Sequence, residues 1–318
     1  MKRILALLVC SFIVTACSQS STSPVTAPTQ QLLVVNSNGN SIAFFTVSGS
    51  AAVLGTTISG SNTQLVNPTG VGFSSGRIFV ANNLANTVTV YPAGASGNAP
   101  PSTTIAGSNT GLDHPTDIDV DSAGRVYVGN SGSTIGNSVR IFAPGASGNA
   151  TPVASIFGPS TALAHPVSVA HDAAGNIYVA NVGNNSLTIY RSSDVFSSPT
   201  GDVAPFATLA GALTGLSGPS GIALDTSGNV YVTNGAANSI TVYAPNPSGN
   251  QAPSATIAGA STAIDLPGDI EIVGGYMYVA NAGSNDLLVF PLTASGDVAP
   301  SAVVTGPELD FPNGLALE

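Results

Sequence analysis

The chain has 318 residues, of which 43% are hydrophobic and only 7% are charged, and its formal net charge is −10. Its six Lys and Arg residues are outnumbered by sixteen Asp and Glu residues, so it lacks the clustered cations that a phosphate-reading surface requires. We therefore expect no nucleic-acid partner.

The first residues have the pattern of a bacterial export signal. Lys2 and Arg3 precede an apolar stretch, residues 4–14, that is too short to remain as a membrane-spanning helix. The following VTAC sequence resembles the lipobox of bacterial lipoproteins, in which Cys17 becomes the lipidated first residue of the mature chain. An ordinary secretory signal, cleaved nearby, is the alternative.

We predict a signal peptide over residues 1–16 and a flexible tether over residues 17–30, which are rich in Ser, Thr, Pro and Gln. Lipid chains on Cys17 would anchor the protein in a membrane of the bacterial cell envelope, and Ser18 at the next position is compatible with the outer membrane. Processing would leave four Arg and no Lys against sixteen carboxylates, a net charge of −12. The folded part would contain no cysteine, and hence neither a disulfide nor a cysteine metal site.

Residues 31–318 contain one unit that occurs six times. In each unit a proline opens a short apolar run, and the intervals between these prolines are 47, 51, 53, 48 and 45 residues. A second strand-like run, which ends in Asn, also occurs six times. The prolines are Pro68, Pro115, Pro166, Pro219, Pro267 and Pro312, and the asparagines are Asn36, Asn82, Asn130, Asn181, Asn234 and Asn281. Such a period indicates a ring or stack of one repeated unit.

The period-2 pattern predicts four short strands in each unit. In the unit from Pro219 they are residues 220–224 (strand a), 229–233 (b), 239–243 (c) and 254–258 (d). The fold class is therefore predicted as all-β, a six-bladed β-propeller, because a sheet with two apolar faces must be sandwiched between copies of itself. No helical periodicity follows residue 16.

The two ends of the chain predict how the ring closes. The repeat region begins with strands b, c and d at residues 32–36, 41–47 and 56–59, and it ends with a lone strand a at residues 314–317. One blade is thus expected to combine both termini, which leaves no broken edge in the ring.

Three segments carry a resemblance to a known family. They are DSAGRVYVGN (121–130), DAAGNIYVAN (172–181) and DTSGNVYVTN (225–234), and each follows a Pro-led strand. They resemble NHL repeats, with some likeness to YVTN-type propeller repeats, over about residues 31–318. The resemblance implies the propeller fold, whereas propellers of this kind serve as binding scaffolds, lyases and lactonases alike. Asp121, Asp172 and Asp225 are interpreted as structural residues of D-x-x-G turns.

The loops between strands b and c place amide side chains on one face of the ring. Asn82, Asn130, Asn181, Asn234 and Asn281 begin five of these loops, and amides supply both donors and acceptors. They form a candidate ligand face for a protein, peptide or glycan. The alternative is that these residues close turns, since Asn tolerates left-handed conformations and bonds its own backbone.

Positions at which single units depart from the repeat are more informative about function than the repeated residues are. Two positions after the repeat proline, most units have Gly or Ser, but two opposite units have Asp117 and Asp269, and two residues later the same units have Asp119 and Glu271. Asp117 and Asp269, expected at the channel mouth, are candidate ligands for Ca²⁺. The alternative is hydrogen bonding to neighbouring Asn and turn amides. His114 and His165 precede repeat prolines and His171 ends a strand, and three His on two adjacent units could indicate a metal or a base. Loop packing is the favoured interpretation for His114 and His165, because other residue types occupy the same position before the proline in the other units.

Two classes of function fit these features. The first, which we favour from the sequence, is a lipid-anchored, non-catalytic binding or protein-interaction scaffold. The second is a metal-dependent lactonase or lyase that resembles the gluconolactonase and streptogramin-lyase propellers, in which inner-strand carboxylates and Asn hold one divalent ion. No nucleophile or metalloprotease motif is present in the sequence.

Overall fold

The structure is a computed structural model that describes residues 30–132 and 136–318. It contains six four-stranded antiparallel sheets, or blades, arranged in a ring. Blade 1 comprises β24 (Pro312–Leu317), β1 (Gln30–Asn36), β2 (Ser41–Ser48) and β3 (Ala51–Ser59), and blade 2 comprises β4 (Pro68–Ser74), β5 (Arg77–Asn82), β6 (Thr87–Pro92) and β7 (Thr103–Ile105). Blade 3 comprises β8 (Pro115–Val120), β9 (Val126–Asn130), β10 (Ser138–Phe142) and β11 (Ala154–Ile156), and blade 4 comprises β12 (Pro166–His171), β13 (Ile177–Asn181), β14 (Ser186–Tyr190) and β15 (Ala207–Ala210). Blade 5 comprises β16 (Pro219–Leu224), β17 (Val230–Asn234), β18 (Ser239–Tyr243) and β19 (Ala255–Ala258), and blade 6 comprises β20 (Pro267–Val273), β21 (Tyr276–Asn281), β22 (Asp286–Pro291) and β23 (Ala302–Thr305).

The predicted all-β, six-bladed propeller is confirmed, and so is its closure. Strand β24 pairs antiparallel with β1, so that Leu317 lies opposite Leu32 and Gly314 opposite Val35. Both termini therefore contribute to blade 1. The predicted signal peptide, Cys17 and all but the last residue of the tether lie outside the described residues.

The blades pack through both faces of every sheet. In β5, Ile78 and Val80 pack against blade 1, whereas Phe79 and Ala81 pack against blade 3. Six hydrophobic clusters result, one between each pair of neighbouring blades. This arrangement explains why the middle strands are apolar at successive positions, since both of their faces are covered.

Asparagines in the b–c loops join neighbouring blades. Asn40, for example, has a φ of 46° and accepts a hydrogen bond at 2.6 Å from the backbone N–H of Asn67, which precedes the first proline of the next blade. Asn86, Asn185, Asn238 and Asn285 make the same contact to His114, Gly218, Leu266 and Phe311. The b–c loops and the d–a connections therefore share one face of the ring.

Two short helical turns depart from the predicted absence of helix. Helix α1 (Ser192–Ser197) lies in the c–d connection of blade 4, within the longest repeat interval of 53 residues, and its Val195 is buried between blades 3 and 4. A 3₁₀ turn covers Ala260–Thr262. Elements of one or two turns are too short to produce a detectable hydrophobic period.

Within the residues that the structure describes, no helix has the length and apolarity needed to cross a membrane.

Candidate functional site

The six inner strands enclose a cavity of about 260 Å³ along the axis of the ring. Fourteen of its nineteen lining residues are apolar or glycine, and the other five are titratable. These are Asp117 and Asp119 of β8, His171 of β12, and Asp269 and Glu271 of β20. No Lys or Arg of the described chain lines this cavity. Blades 3 and 6 therefore contribute carboxyl groups from opposite sides of one small space.

Asp117 and Asp269 each connect two neighbouring inner strands. Asp117 accepts hydrogen bonds from its own strand at Ile118 N (2.8 Å) and from the next blade at Val169 N (3.0 Å). Asp269 repeats the geometry with Ile270 N (2.9 Å) and Leu315 N (3.0 Å). Both carboxyl groups thus bond to strand amides, rather than to the Asn side chains and turn amides considered from the sequence.

Glycine on the preceding blade makes room for each of these aspartates. A Cβ atom added to Gly70 would lie 2.5 Å from Asp117 Cα, and one added to Gly221 would lie 2.6 Å from Asp269 Cα. Backbone therefore touches backbone at this level of the ring, which explains why a Gly precedes each of the two aspartates around the ring.

We expect Gly221→Ala to lower the free energy of unfolding by about 1–3 kcal/mol, because the new methyl group must displace backbone rather than a flexible side chain. Thermal and urea unfolding measure this effect. Gly235→Ala is the matched control, since the nearest atom to its added Cβ is at an ordinary 3.5 Å. Equal stability of the two variants would contradict the proposed contact.

The enclosed carboxyl groups hold their protons unusually tightly. Burial raises the pKa of Asp117 to about 7, and burial together with the charge of Asp119 raises the pKa of Glu271 to about 8. Burial and then the charge of Asp117 raise the pKa of Asp269 well above its usual range. Near neutral pH the cavity thus contains protonated carboxyl groups, which can donate hydrogen bonds, beside ionised ones.

A histidine and an aspartate from neighbouring blades form a hydrogen-bonded pair in the same cavity. His171 Nδ1 bonds to Asp119 Oδ2, and both side chains retain about a quarter of their surface exposed, 26% and 25%. Tyr127 stacks on the imidazole, with ring centroids 6.0 Å apart and 14° between the planes. The hydrogen bond to Asp119 raises the pKa of His171. Because Nδ1 is engaged, Nε2 is the ring nitrogen left for a reactant.

The pairing of His171 with Asp119 was missed in the sequence. The two residues are 52 positions apart, near one repeat interval, so a superposition of the repeats places them on adjacent inner strands. That superposition was the available signal, and the interpretation of His171 as a strand-end residue overlooked it.

The structure corrects the prediction that five asparagines form a ligand face. Asn82, Asn130, Asn181, Asn234 and Asn281 are all 0% exposed. In the blade of Asn234, Oδ1 accepts from Ser217 N at 3.1 Å and Nδ2 donates to Thr241 Oγ1 at 3.1 Å. A buried amide must satisfy its donors and acceptors within the protein. These amides do so by hydrogen bonding the d–a connection to the sheet.

The other singled-out residues lie away from the cavity. His114 and His165 occupy left-handed positions before repeat prolines, each with a φ of 49°. The turn aspartates are structural, as predicted: Asp225 accepts from Ser227 N at 2.8 Å and Asn229 N at 2.9 Å. Neither group belongs to the candidate site.

A metal centre is not assembled among the described residues, where no three His, Cys, Asp or Glu side chains are placed to hold one ion. The predicted Ca²⁺ ligands Asp117 and Asp269 already accept backbone N–H groups with both carboxyl oxygens. The Ca²⁺ site stays a prediction, for which calorimetric titration of chelator-treated protein is the test.

Solved structures share the fold of this chain. A structure described as a nidogen/laminin complex is similar with a TM-score of 0.66 and 14% identity, covering 91% of this chain and 98% of that one. A protein of unknown function from Bacteroides caccae gives a TM-score of 0.62 with 11% identity, covering 91% and 99% of the two chains. A functionally unknown protein from Desulfotomaculum acetoxidans gives 0.59 with 14% identity, covering 90% and 98%. At these identities the likeness concerns the fold alone.

No curated protein matches the sequence. A family model matches the sequence over residues 13–305, and its family is not the NHL family that the repeats resemble. Its description specifies seven blades, whereas six sheets form the ring here. The chain belongs to the family described as "Lactonase, 7-bladed beta-propeller".

Proposed function

We propose that this protein hydrolyses a lactone in its central cavity, with His171 as the general base and Asp119 as the residue that orients it. The observation that carries the proposal is the hydrogen-bonded His171–Asp119 pair in a cavity that also contains protonatable carboxyl groups. Membership of the lactonase family supports the reaction class. A positioned histidine is the commonest general base in enzymes.

In the proposed reaction, neutral His171 takes a proton from water through Nε2 while the water oxygen bonds to the lactone carbonyl carbon. Glu271 and Asp269, when protonated, can donate a hydrogen bond to the carbonyl oxygen as it gains negative charge. The ring C–O bond then breaks, and the leaving oxygen receives the proton from His171. The product is a hydroxy acid, and Asp119 stabilises the imidazolium between the two transfers.

The assay that tests this proposal measures ring opening of a panel of five- and six-membered lactones by pH-stat. We expect His171→Gln to lower kcat/KM at least about 100-fold, the smallest usual contribution of a general base. Asp119→Asn should lower it as well, and the pH profile should fall above about 8, where Glu271 loses its proton. The matched control is His165→Gln, the same substitution outside the cavity. Undiminished hydrolysis by His171→Gln, or no hydrolysis of any lactone, would refute the proposal.

The non-catalytic scaffold that we favoured from the sequence rested on an exposed face of asparagines. Since the five asparagines are buried in the blades, that basis is lost, and the hydrolase is the better-supported function.

We also propose that the enzyme acts at the cell envelope as a lipoprotein, on the basis of the apolar segment that ends in Cys17. Replacing Cys17 with Ala should release the protein from the membrane fraction or block its processing, because the lipid attachment atom is lost. Cell fractionation and intact mass measure both outcomes. Normal membrane attachment of a variant with the normal mature mass would exclude lipidation.

A further inference from the structure

The outer strands of five blades are covered by a segment of the next blade. In blade 5, Ala258 N of the outer strand β19 donates to Gly296 O of blade 6 at 3.2 Å, and Gly296 N donates back to Thr256 O at 2.7 Å. Gly296 lies in the c–d connection of blade 6, and this segment runs parallel to β19. Blades 1, 2 and 4 make the same two bonds to Gly97, Gly148 and Gly249, and blade 3 makes the first of them to Gly201.

The outer strand of blade 6, β23, has no such cover among the residues that the structure describes. Blade 1 follows blade 6 around the ring, but its strands β2 and β3 form a tight hairpin instead of a long c–d connection. The pairing registers of the two blades make Thr305 N the counterpart of Ala258 N, and Val303 O the counterpart of Thr256 O. Within the described chain, neither of these two groups of β23 has a backbone partner on its outer side.

The side chains of β23 are correspondingly exposed. Val304 is only partly buried, and Val303 is 48% exposed. The residues that occupy the position of Val304 in the other five outer strands are all 0% exposed, and they are Ile58, Ile105, Ile156, Leu209 and Ile257. A strand edge with unpaired backbone groups and apolar side chains is a template for pairing with another chain.

The five internal covers show which kind of chain fits such an edge. Each covering glycine has a φ of 58–78°, a conformation that other residues rarely adopt. The next residue is Asn or Asp, and its side chain accepts a backbone N–H of the covered blade, as Asn98 Oδ1 does from Asn62 N at 2.7 Å. The five residues with this role are Asn98, Asn149, Asp202, Asn250 and Asp297. Ser or Thr precedes the glycine in every case.

We propose that the outer edge of β23 binds a segment of another polypeptide, which adds to blade 6 as a parallel fifth strand. The segment has the Ser/Thr-Gly-Asn/Asp sequence of the internal covers, and its glycine bonds to Val303 O and Thr305 N. In strand addition the main-chain hydrogen bonds provide the affinity. Here the left-handed glycine provides the specificity. This edge lies on the outside of the ring, whereas the cavity lies on its axis, so the inference is independent of the proposed lactonase function.

The first experiment uses a fluorescent peptide with the sequence of residues 92–103, PAGASGNAPPST, which covers blade 1 in the structure. Fluorescence anisotropy with the full protein should show saturable binding. Gly97→Val in the peptide should weaken binding about fivefold or more, since at least one backbone hydrogen bond is lost.

Thr305→Pro in the protein should weaken binding by a similar factor, because it removes the outward N–H. Proline is tolerated at a strand edge where the N–H faces solvent. Thr305→Val is the matched control, since it keeps the N–H and should bind the peptide like the parent.

The second experiment uses the unmodified protein, so it does not depend on how a variant folds. Hydrogen exchange followed by NMR compares two equivalent amides, Thr305 N–H and Ala258 N–H. Without peptide, the Thr305 amide should exchange faster, because Ala258 is already bonded to Gly296. Added peptide should slow exchange at Thr305 and leave Ala258 unchanged.

Three results would overturn the inference. The first is the absence of saturable peptide binding, and the second is binding that neither Thr305→Pro nor exchange at the Thr305 amide detects. The third is self-association of the parent protein in analytical ultracentrifugation that Thr305→Pro abolishes, because a second copy of the chain would then occupy the edge.

Discussion

Deletion of residues 310–318 is expected to leave a chain that does not fold stably at 37 °C. The deletion removes β24, which provides the inner strand of blade 1 and buries Leu315 and Ala316, 3% and 7% exposed. It also exposes the backbone edge of β1 and removes the Leu315 N–H that Asp269 accepts. Burying one leucine contributes about 1.5–3 kcal/mol. Together with the lost ladder, this approaches the roughly 5–15 kcal/mol that stabilises a whole domain.

Circular dichroism melting and limited proteolysis of the truncated protein measure the loss. A synthetic peptide of residues 310–318, added in trans, should partly restore protease resistance, because it can occupy the vacated edge of β1. A peptide with the same composition but reversed order serves as the control. A melting curve identical to that of the full chain would show that the closing strand contributes nothing.

The fold could be predicted from the sequence because the same pattern of strands and turns occurs six times. Proline begins every inner strand, where a missing N–H is tolerated, and the six Pro-led runs alone give the number of blades. The predicted strand c of the fifth blade matches β18 (Ser239–Tyr243), and strand d of the first blade is longer than predicted, Ala51–Ser59. The extra residues, 51–55, are mostly exposed, so hydrophobic alternation could not reveal them.

The candidate site was only partly predictable. Asp117 and Asp269 could be singled out because they interrupt a pattern of Gly and Ser. Their hydrogen-bond partners could not be predicted. The carboxyl groups bond to backbone N–H groups of the next blade, and these groups are present whatever the side chain is. The asparagines were conspicuous in the sequence but were assigned the wrong role. Asn234 is fully buried although it begins a polar loop. Residue type alone does not distinguish an asparagine that binds a ligand from one that makes hydrogen bonds inside the blade.

Stability is expected to fall as the pH rises from about 4 to about 8, the reverse of the usual behaviour of surface carboxylates. Asp117 and Glu271 have ordinary pKa values of 3.8 and 4.5, which the fold raises to about 7 and about 8. The fold also raises the pKa of Asp269 and of His171. Between the unfolded and folded pKa values the native protein binds more protons than the unfolded chain, so increasing pH favours unfolding. Each group contributes a slope of at most about 1.4 kcal/mol per pH unit.

Glu271→Gln separates this effect from the general charge of the protein. The amide occupies nearly the same volume but carries no charge, so the variant should be more stable than the parent at pH 8 and similar at pH 4. The slope of its unfolding free energy between these pH values should be smaller, because one of the cavity's titrating groups is absent. Asp194→Asn changes the net charge equally but lies at an exposed position of helix α1, and it should leave the slope unchanged. Urea unfolding at a series of pH values measures all three proteins. If Glu271→Gln and the parent were to lose stability in parallel, the pKa of Glu271 in the folded protein would have to equal its ordinary value of 4.5. The carboxyl group would then be ionised at neutral pH, and its hydrogen-bond donation to a lactone carbonyl would fail with it.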